Sequence, residues 1–558
     1  MNLTHKIRRI SASGTAILLT LSLGLAGCTR AQTEPDDAVR PDSRPNILLI
    51  VADDLGYSDL GAFGGEISTP NLDKLANGGV RFAQFYTAAT CSPTRSMLMT
   101  GVDHHIAGLG SMAEMLTPEQ QGHPGYEGYL NGRVIPIAER LQDAGYRTLM
   151  SGKWHLGLTP ETSPAARGFE TSFALLPGGA GHFDYFGLNS RAPEAPFSEN
   201  GAPVTAPKDA YSSDLFADKL ISQLSAGGDD GRPFFAYLAF TAPHWPLQAP
   251  REDIERYKGR YDGGWETLRL ERLLRQRELG LLPPSLPIEA DPESQRAWDG
   301  LTVAERQIAA REMEVYAAMV DRMDQNVGHV LEALQAAGKL DNTIILFLAD
   351  NGPEGHELAD LGIQDWVAEN FDNSLENIGA ANSYVMYGPR WASAATGGAK
   401  LFKGFPTEGG VRVAAFAWAS NLAHSGEVSW DILTVRDAAP TFTEVASVSG
   451  GPDEDAEGME GRSFLGVLNG KGALAAPTET LAWELFGKRA VRSGDWKAVL
   501  LPPPHGDGEW HLYNLEKDPR ESVDLAADAP EILETLKQGW ADYAADKGVI
   551  LPEVDIPY

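Results

Sequence analysis

The sequence predicts an α/β protein: a large parallel or mixed sheet flanked by helices on both faces, followed by a smaller antiparallel sheet. Three observations carry this. Four short apolar runs recur at wide intervals: Asn46 to Ala52, Arg147 to Met150, Pro233 to Phe240 and Thr343 to Ala349. Apart from Arg147-Thr148 they are apolar at nearly every position rather than at alternate ones, the pattern of strands buried on both faces. Helical periodicity lies between them, clearest in Tyr316, Met319, Val320, Met323, Val327, Val330, Leu331 and Leu334 before Gly338 ends it. After about residue 430 the grammar changes. Thr480 to Phe486, Lys488 to Arg492, Trp496 to Leu501 and Trp510 to Leu515 are short strand-like runs joined by Gly, Pro and Asp turns, with a helix expected from Pro530 to Tyr543. The expected division is a large domain over residues 45–430 and a smaller α+β subdomain over 431–558, without tandem repeats.

The N-terminus reads separately. His5-Lys6-Ile7-Arg8-Arg9 is a positive leader, Thr15 to Ala26 is an apolar stretch too short to span a bilayer comfortably, and Leu25-Ala26-Gly27-Cys28 is a lipobox. Residues 1–27 are therefore expected to be a lipoprotein signal peptide. Cys28 would become the lipidated N-terminal residue, and residues 28–44, polar and proline-containing, a flexible tether. Thr29, where retention at the inner membrane would favour Asp, points to the outer membrane facing the periplasm, with the cell surface as the alternative. The twin Arg8-Arg9 leaves the export route open. With 43% hydrophobic residues the 558-residue chain can fill a sizeable core. Its formal charge of −31, more negative still without Lys6, Arg8 and Arg9, argues against nucleic acid and anionic headgroups as partners. An anionic substrate would need a local cationic pocket.

Each apolar run ends in polar residues that are useful only if exposed: Asp53-Asp54, then Ser151-Gly152-Lys153-Trp154-His155, then Thr241-Ala242-Pro243-His244, then Asp350-Asn351. Ligands of covered parallel sheets bind beyond the carboxyl ends of the strands, so these clusters should meet on one rim. Asp53, Asp54, Asp350 and Asn351 offer oxygen ligands alone, the preference of calcium or magnesium. Taken singly, an Asp-Asp after a strand reads equally as a helix cap. Only two cysteines occur, Cys28 and Cys91. Cys91 opens Cys91-Ser92-Pro93-Thr94-Arg95, with Pro93 suited to a first helical turn and Gly101 to its end. Cys91 would then lie at a helix N-terminus, where amides and dipole favour an anion. As bare residues, Arg95 reads equally as a helix-surface charge and His244 as structural.

Cys-x-Pro-x-Arg before a small residue and an apolar run, together with Asn46 to Asp54, Gly152-Lys153-Trp154-His155, Ala242-Pro243-His244 and Asp350-Asn351-Gly352, resembles the type I, formylglycine-dependent sulfatases, bacterial arylsulfatases most closely. The similarity runs from about Pro45 into the C-terminal region. It implies the alkaline-phosphatase-like sulfatase fold with an appended sheet, and hydrolysis of sulfate monoesters, aryl sulfates foremost, by S–O cleavage. It further implies that Cys91 is oxidised to formylglycine by a maturation enzyme, supplying a gem-diol nucleophile that a thiol cannot. By the same resemblance Asp53, Asp54, Asp350, Asn351 and the modified Cys91 hold calcium, with magnesium as the alternative. Arg95 would hold the formylglycine hydroxyl, Lys153 would contact hydroxyl or sulfate, and His155 would be the base. His244 and Lys403 would bind sulfate and serve the leaving oxygen, and Asp350 would also help activate the attacking hydroxyl. Lys400 competes with Lys403 for that role.

Two rival functions fit the same residues: a phosphate or phosphonate ester hydrolase of the same fold, and a non-catalytic lipoprotein that binds sulfated ligands. His104 and His105 have no third ligand at suitable spacing and are expected to be structural. Trp245, Trp265 and Trp391 are expected either to shape an aromatic pocket or to fill the core. The stretch from Trp265 to Asp299 carries no readable role.

Overall fold

All four apolar runs are strands, and they lie side by side. A computed structural model describes residues 44–553 and 556, apart from 189–193, 209, 228–229, 447–457 and 471–479. The expected signal peptide, Cys28 and the tether up to residue 43 lie outside the described residues. Among the described residues no helix is long and apolar enough to cross a membrane.

The large sheet contains β1 (Asn46–Ala52), β2 (Val80–Tyr86), β3 (Arg147–Lys153), β4 (Thr171–Leu175), β5 (Phe197–Glu199), β6 (Ala202–Val204), β7 (Phe234–Ala239), β8 (Thr343–Ala349), β9 (Arg412–Trp418) and β10 (Val428–Thr434). Their order is β10-β2-β9-β8-β1-β7-β3-β4-β5-β6. The central strands β8, β1, β7, β3 and β4 are parallel. β9 runs antiparallel between β8 and β2, so the sheet is mixed. Every residue of β1, β3 and β7 is buried, and fully burying one Leu or Ile side chain stabilises by about 1.5–3 kcal/mol. The carboxyl ends of β1, β2, β3, β7 and β8 and the entry to β9 consequently share one rim.

Helices cover both faces as the periodicity predicts. The longest, Val303–Ala336, starts in a capping box in which Thr302 and Glu305 exchange side-chain and backbone hydrogen bonds, and it buries the predicted stripe from Tyr316 through Leu334 except Leu331, which is half-buried. Helices Gly264–Glu278 and Pro292–Gly300 account for the unassigned stretch. There Trp265, Trp298 and Trp391 meet edge to face at 4.8 to 5.9 Å, so Trp265 and Trp391 are core residues.

The small sheet is an antiparallel meander of β11 (Leu481–Leu485), β12 (Lys488–Ser493), β13 (Trp496–Leu500) and β14 (Trp510–Asn514). Helix Pro530–Lys547 lays Leu536 and Trp540 over Val491, Ala498 and Leu512. The meander is tied to the large sheet by Trp483, whose Nε1 donates to the Thr87 carbonyl at 2.8 Å, and by buried Lys497, paired with Glu408 at 2.8 Å and Glu521 at 3.0 Å. The boundary expected at residue 430 falls inside β10, which pairs with β2 in the large sheet. β10 is an edge strand and mostly only half buried, so its composition resembles that of the later antiparallel strands rather than the fully apolar central ones.

Candidate active site

The backbone ladder runs on past the strand ends and fixes the clusters against one another. The Asp53 amide donates to the Ala242 carbonyl and the Asp350 amide to the Ala52 carbonyl, both at 3.1 Å. Gly152, at φ 119°, lies so close to β7 that a Cβ would stand 1.8 Å from the Ala239 oxygen, which leaves glycine as the residue that fits directly before Lys153. Lys403 is anchored by its amide to the Pro353 carbonyl at 3.0 Å, and Gly404 to the Ala89 carbonyl at 2.7 Å. The loop before β9 is thereby stitched to the loops that follow β8 and β2.

Cys91 is the first residue of helix Cys91–Thr100, which ends at Gly101 in the left-handed conformation, φ 71°. Its Sγ lies 3.4 Å from Asp53 Oδ1 and 3.8 Å from Asp54 Oδ1. Burial, reinforced by the Asp350 carboxylate, pushes the thiol well above its ordinary value, which favours the protonated form, a poor nucleophile.

Around it three cations interleave with three carboxylates, all buried. Arg95 donates through Nε and a terminal nitrogen to Asp350 Oδ2 at 2.9 and 2.7 Å, and through the other terminal nitrogen to the Lys153 carbonyl and the Tyr237 hydroxyl, each at 3.2 Å. It is no surface charge. Lys153 Nζ donates to both Asp53 oxygens at 2.8 and 2.7 Å. Lys403 Nζ lies 2.9 Å from Asp54 Oδ2 and 3.4 Å from Glu354, whereas Lys400 turns away to the Tyr513 hydroxyl at 2.9 Å. Burial drives Asp53 up to about 7 against the pull of Lys153, and drives Asp54 up against Lys403. At Asp350 burial also pushes upward, but Arg95, Lys153 and Lys403 outweigh it and hold the carboxyl below its ordinary value.

The carboxylates of Asp53 and Asp54 and the side-chain oxygen of Asn351 fit a hard cation. Asp53, Asp54, Cys91 and His244 bring ligand atoms within 4.8 Å of one another. Asn351 donates its amide to Asp54 Oδ1 at 2.7 Å and to the Gly352 carbonyl at 2.9 Å, while its Oδ1 is buried without a hydrogen-bond partner. A buried oxygen left unsatisfied costs about 1–3 kcal/mol, which coordination to a cation would relieve. Asp54 is held at φ 64° and His155 at φ 57°. Such left-handed backbone costs about 1–3 kcal/mol per residue and concentrates at functional sites.

His155 and His244 face the same cavity. His155 Nε2 donates to Glu114 at 3.0 Å, which leaves Nδ1, buried and without a partner, as the lone-pair nitrogen. Burial lowers His155 below the ordinary imidazole value, with Glu114 opposing. His244 Nδ1 donates to the Trp245 carbonyl at 2.6 Å, so Nε2 is the atom facing Asp54 Oδ2 at 3.6 Å. Burial, then Lys403 and Lys153, hold His244 well below its ordinary value. Its ring stacks on Trp245 at 5.1 Å, so of the three tryptophans this one belongs to the pocket. The cavity encloses about 460 Å³, with Cys91, Lys403 and both histidines at its reacting end.

Residues missed in the sequence sit around this core. Glu114 lies in a single 3-10 turn, Ala113–Met115, too short to leave a periodic signal. Gly178-Gly179 pack against the two histidine rings, where a Cβ would stand 2.7 Å from His155 and 3.3 Å from His244; the Gly-Gly pair after Leu175 was a readable sign of close approach. His104 and His105 stand apart from this site. Asp103 joins them, but His105 is held between Asp103 at 3.0 Å and Glu484 at 3.4 Å, and His104 Nδ1 meets the Leu109 carbonyl at 3.0 Å. They pin the first domain to β11.

A mixed sheet with buried carboxylates, lysines, arginine and histidines converging on one rim defines an alkaline-phosphatase-type hydrolase of tetrahedral oxyanion esters. The chain belongs to the sulfatase family, whose profile matches residues 45–448. It is 47% identical over 526 residues to an uncharacterized sulfatase of Schizosaccharomyces pombe, covering 91% of this chain and 94% of that protein. It is 38% identical to an arylsulfatase of Klebsiella aerogenes over 78% of this chain and 91% of the relative. The solved structure of Ps i-CgsB superposes with a TM-score of 0.64 at 25% identity, covering 91% and 94% of the two chains. The protein is thus a sulfuric ester hydrolase that releases inorganic sulfate from sulfate monoesters.

Proposed function

We propose that Cys91 is converted to formylglycine by a maturation enzyme and that the modified residue attacks the sulfur of a small sulfate ester, aryl sulfates foremost. The observation that carries this reading is a buried Cys91 at a helix N-terminus, 3.4 Å from Asp53, at the foot of a cavity whose reacting end holds Lys403, His155 and His244. Hydrated, the residue would offer two hydroxyls on one carbon, one to attack sulfur and one whose deprotonation expels sulfate. Asp53, Asp54, Asp350 and Asn351 would hold calcium, or magnesium, which supplies positive charge to the transferring group; one preorganised donor of this kind commonly contributes about 2.7 to 4 kcal/mol.

The chain's own residues take the remaining tasks. Arg95, locked to Asp350, orients the helix start that carries residue 91. Lys153, on Asp53, lies beside the nucleophile. His155 Nδ1 takes the proton of the second hydroxyl, its tautomer set by the Glu114 contact at Nε2. Lys403 and His244 share Asp54 and serve the sulfate and the leaving oxygen.

The test is a mass spectrum of the Cys91 peptide from active protein, with paired kinetics on aryl sulfate and aryl phosphate. Formylglycine and a higher kcat/KM for the sulfate are expected. Unmodified Cys91 in fully active protein, or a preference for phosphate, would overturn the reading. Glu114 offers a sharper check on the base. Its carboxylate raises the His155 pKa, so Glu114→Gln should lower kcat about tenfold by weakening that base. The base then titrates lower, so the acid limb of the pH–rate profile should move to lower pH. An unmoved limb would remove Glu114 from this role.

We also infer an exported lipoprotein anchored through Cys28 in the outer membrane, facing the periplasm. What supports it is Leu25-Ala26-Gly27-Cys28 behind the basic leader. Multiple acyl chains anchor firmly at about 0.8 kcal/mol per buried methylene. Cell fractionation with mass spectrometry of the mature N-terminus tests it; a soluble, unacylated chain would overturn it without touching the sulfatase chemistry.

A further inference from the structure

We propose that the active-site cavity continues into a second groove that receives the apolar body of a singly sulfated substrate, an inference that rests on the sulfatase reading of the site. The groove, of about 710 Å³, adjoins the cavity, and Gly128 and Leu158 wall both. Tyr129, Ile135 and Leu158 line it at 42%, 36% and 55% exposure. Single exposed apolar side chains are ordinary; three around one channel leading from a reacting centre form a surface for an apolar ligand.

The chemistry of the walls selects the substrate class. Among the described lining residues of the cavity, the ionisable side chains are Cys91, Glu114, His155, His244 and Lys403, all at the reacting end or bound to it. The rest is largely aliphatic, as in Leu109, Met112, Leu176, Leu188, Leu361 and Ile363. Hydroxyls of a sulfated sugar would find few side-chain partners there, and buried polar groups without partners bind poorly. The groove in turn rejects a second anion. Its acids are Glu139 and Glu161. Its arginine, Arg167, is buried, with Nε on Glu139 at 2.9 Å and its terminal nitrogens on the carbonyls of Leu130, Asn131 and Val134 at 2.6, 3.1 and 2.9 Å. A distal sulfate or carboxylate would meet two carboxylates and a spent cation.

Phenyl, 4-butylphenyl and 4-octylphenyl sulfate test this, because para-alkyl tails lengthen the apolar body while changing the leaving oxygen little. Dissociation constants measured calorimetrically on Cys91→Ala protein, and kcat/KM on the active enzyme, should both improve along the series. A buried methylene is worth up to about fourfold, and at least tenfold is expected across the whole series. Ile135→Ser and Tyr129→Ser should remove most of the gain for the octyl ester and leave phenyl sulfate unchanged. Equal affinity for all three esters, an undiminished gain in both variants, or a higher kcat/KM for glucosamine 6-sulfate than for the octyl ester would overturn the proposal. Tight octyl binding without turnover would sustain the groove and defeat the catalytic reading instead, so the two fail separately.

Discussion

Replacing Cys91 by alanine is expected to leave the fold intact and to lower turnover of an aryl sulfate by about 10⁴- to 10⁶-fold, the scale on which loss of a catalytic nucleophile is felt. The fold should survive because the sulfur contributes little to it. Among the described residues the hydrogen bonds of Sγ are long, 3.4 and 3.8 Å to two carboxylates. The helix it opens is set by the bond from the Thr94 amide to the Thr90 carbonyl at 3.2 Å and by Gly101 at its end. Losing the few atoms beyond Cβ, whether thiol or formylglycine, should cost about 1 kcal/mol of stability, visible as a small fall in Tm. Turnover should fall this far because Asp53, 3.4 Å from Sγ, cannot stand in: both its oxygens are held by Lys153. Residual activity above a hundredth of the wild-type rate, measured on protein free of wild-type chain, would remove residue 91 from the chemistry.

The central strands were legible because each is buried on both faces, so each holds apolar residues at consecutive positions, in β3 only Leu149-Met150, and its end is marked by the polar residues that follow. β1, β3, β7 and β8 are such strands. β2, which delivers Cys91, escaped notice although it is as buried: Arg81 and Gln84 interrupt its apolar run, Arg81 because it bonds the Ala62 carbonyl at 3.0 Å. β10 reads like the later antiparallel strands because an edge strand is solvated on one side. At the site, the carboxylates, Lys153 and the histidines were readable from strand-end position together with the family resemblance, since topology alone brings strand ends to one rim. Lys403 could not be separated from Lys400 by any local pattern. The difference is a matter of which loop bonds which: the Lys403 amide reaches Pro353, and the neighbouring Gly404 reaches Ala89. Glu114 lies in a one-turn 3-10 helix and the Tyr129–Ile135 stretch is irregular, so contacts there are made by loop path rather than by periodicity, and no residue pattern announces them.

The second large effect is expected at the metal site, and the backbone decides which variant reads it cleanly. Asp54 sits at φ 64°, a conformation that asparagine tolerates and alanine does not favour. Asp54→Asn therefore keeps the turn and removes only charge, whereas Asp54→Ala would mix loss of a ligand with backbone strain. The carboxylate of Asp54 is shared by the Asn351 amide at 2.7 Å, Lys403 at 2.9 Å and His244 at 3.6 Å. An asparagine there can still accept from one of them but offers a cation a neutral oxygen in place of an anionic one, and Lys403 is left with Glu354 at 3.4 Å as its charge partner. Metal content by elemental analysis should drop from one ion per chain toward none. Activity should fall by at least about a hundredfold, the cost of losing one preorganised electrostatic donor at a transition state. The two losses should track each other when calcium is titrated back, and a chelator applied to the wild-type protein should reproduce them reversibly. Because Arg95 and Lys153 remain bound to Asp350 and Asp53, the fold should hold, and circular dichroism should be unchanged. A fully occupied metal site in Asp54→Asn, or full activity without metal, would show that these oxygens do not form the cation site and that the three buried cations alone neutralise the ester.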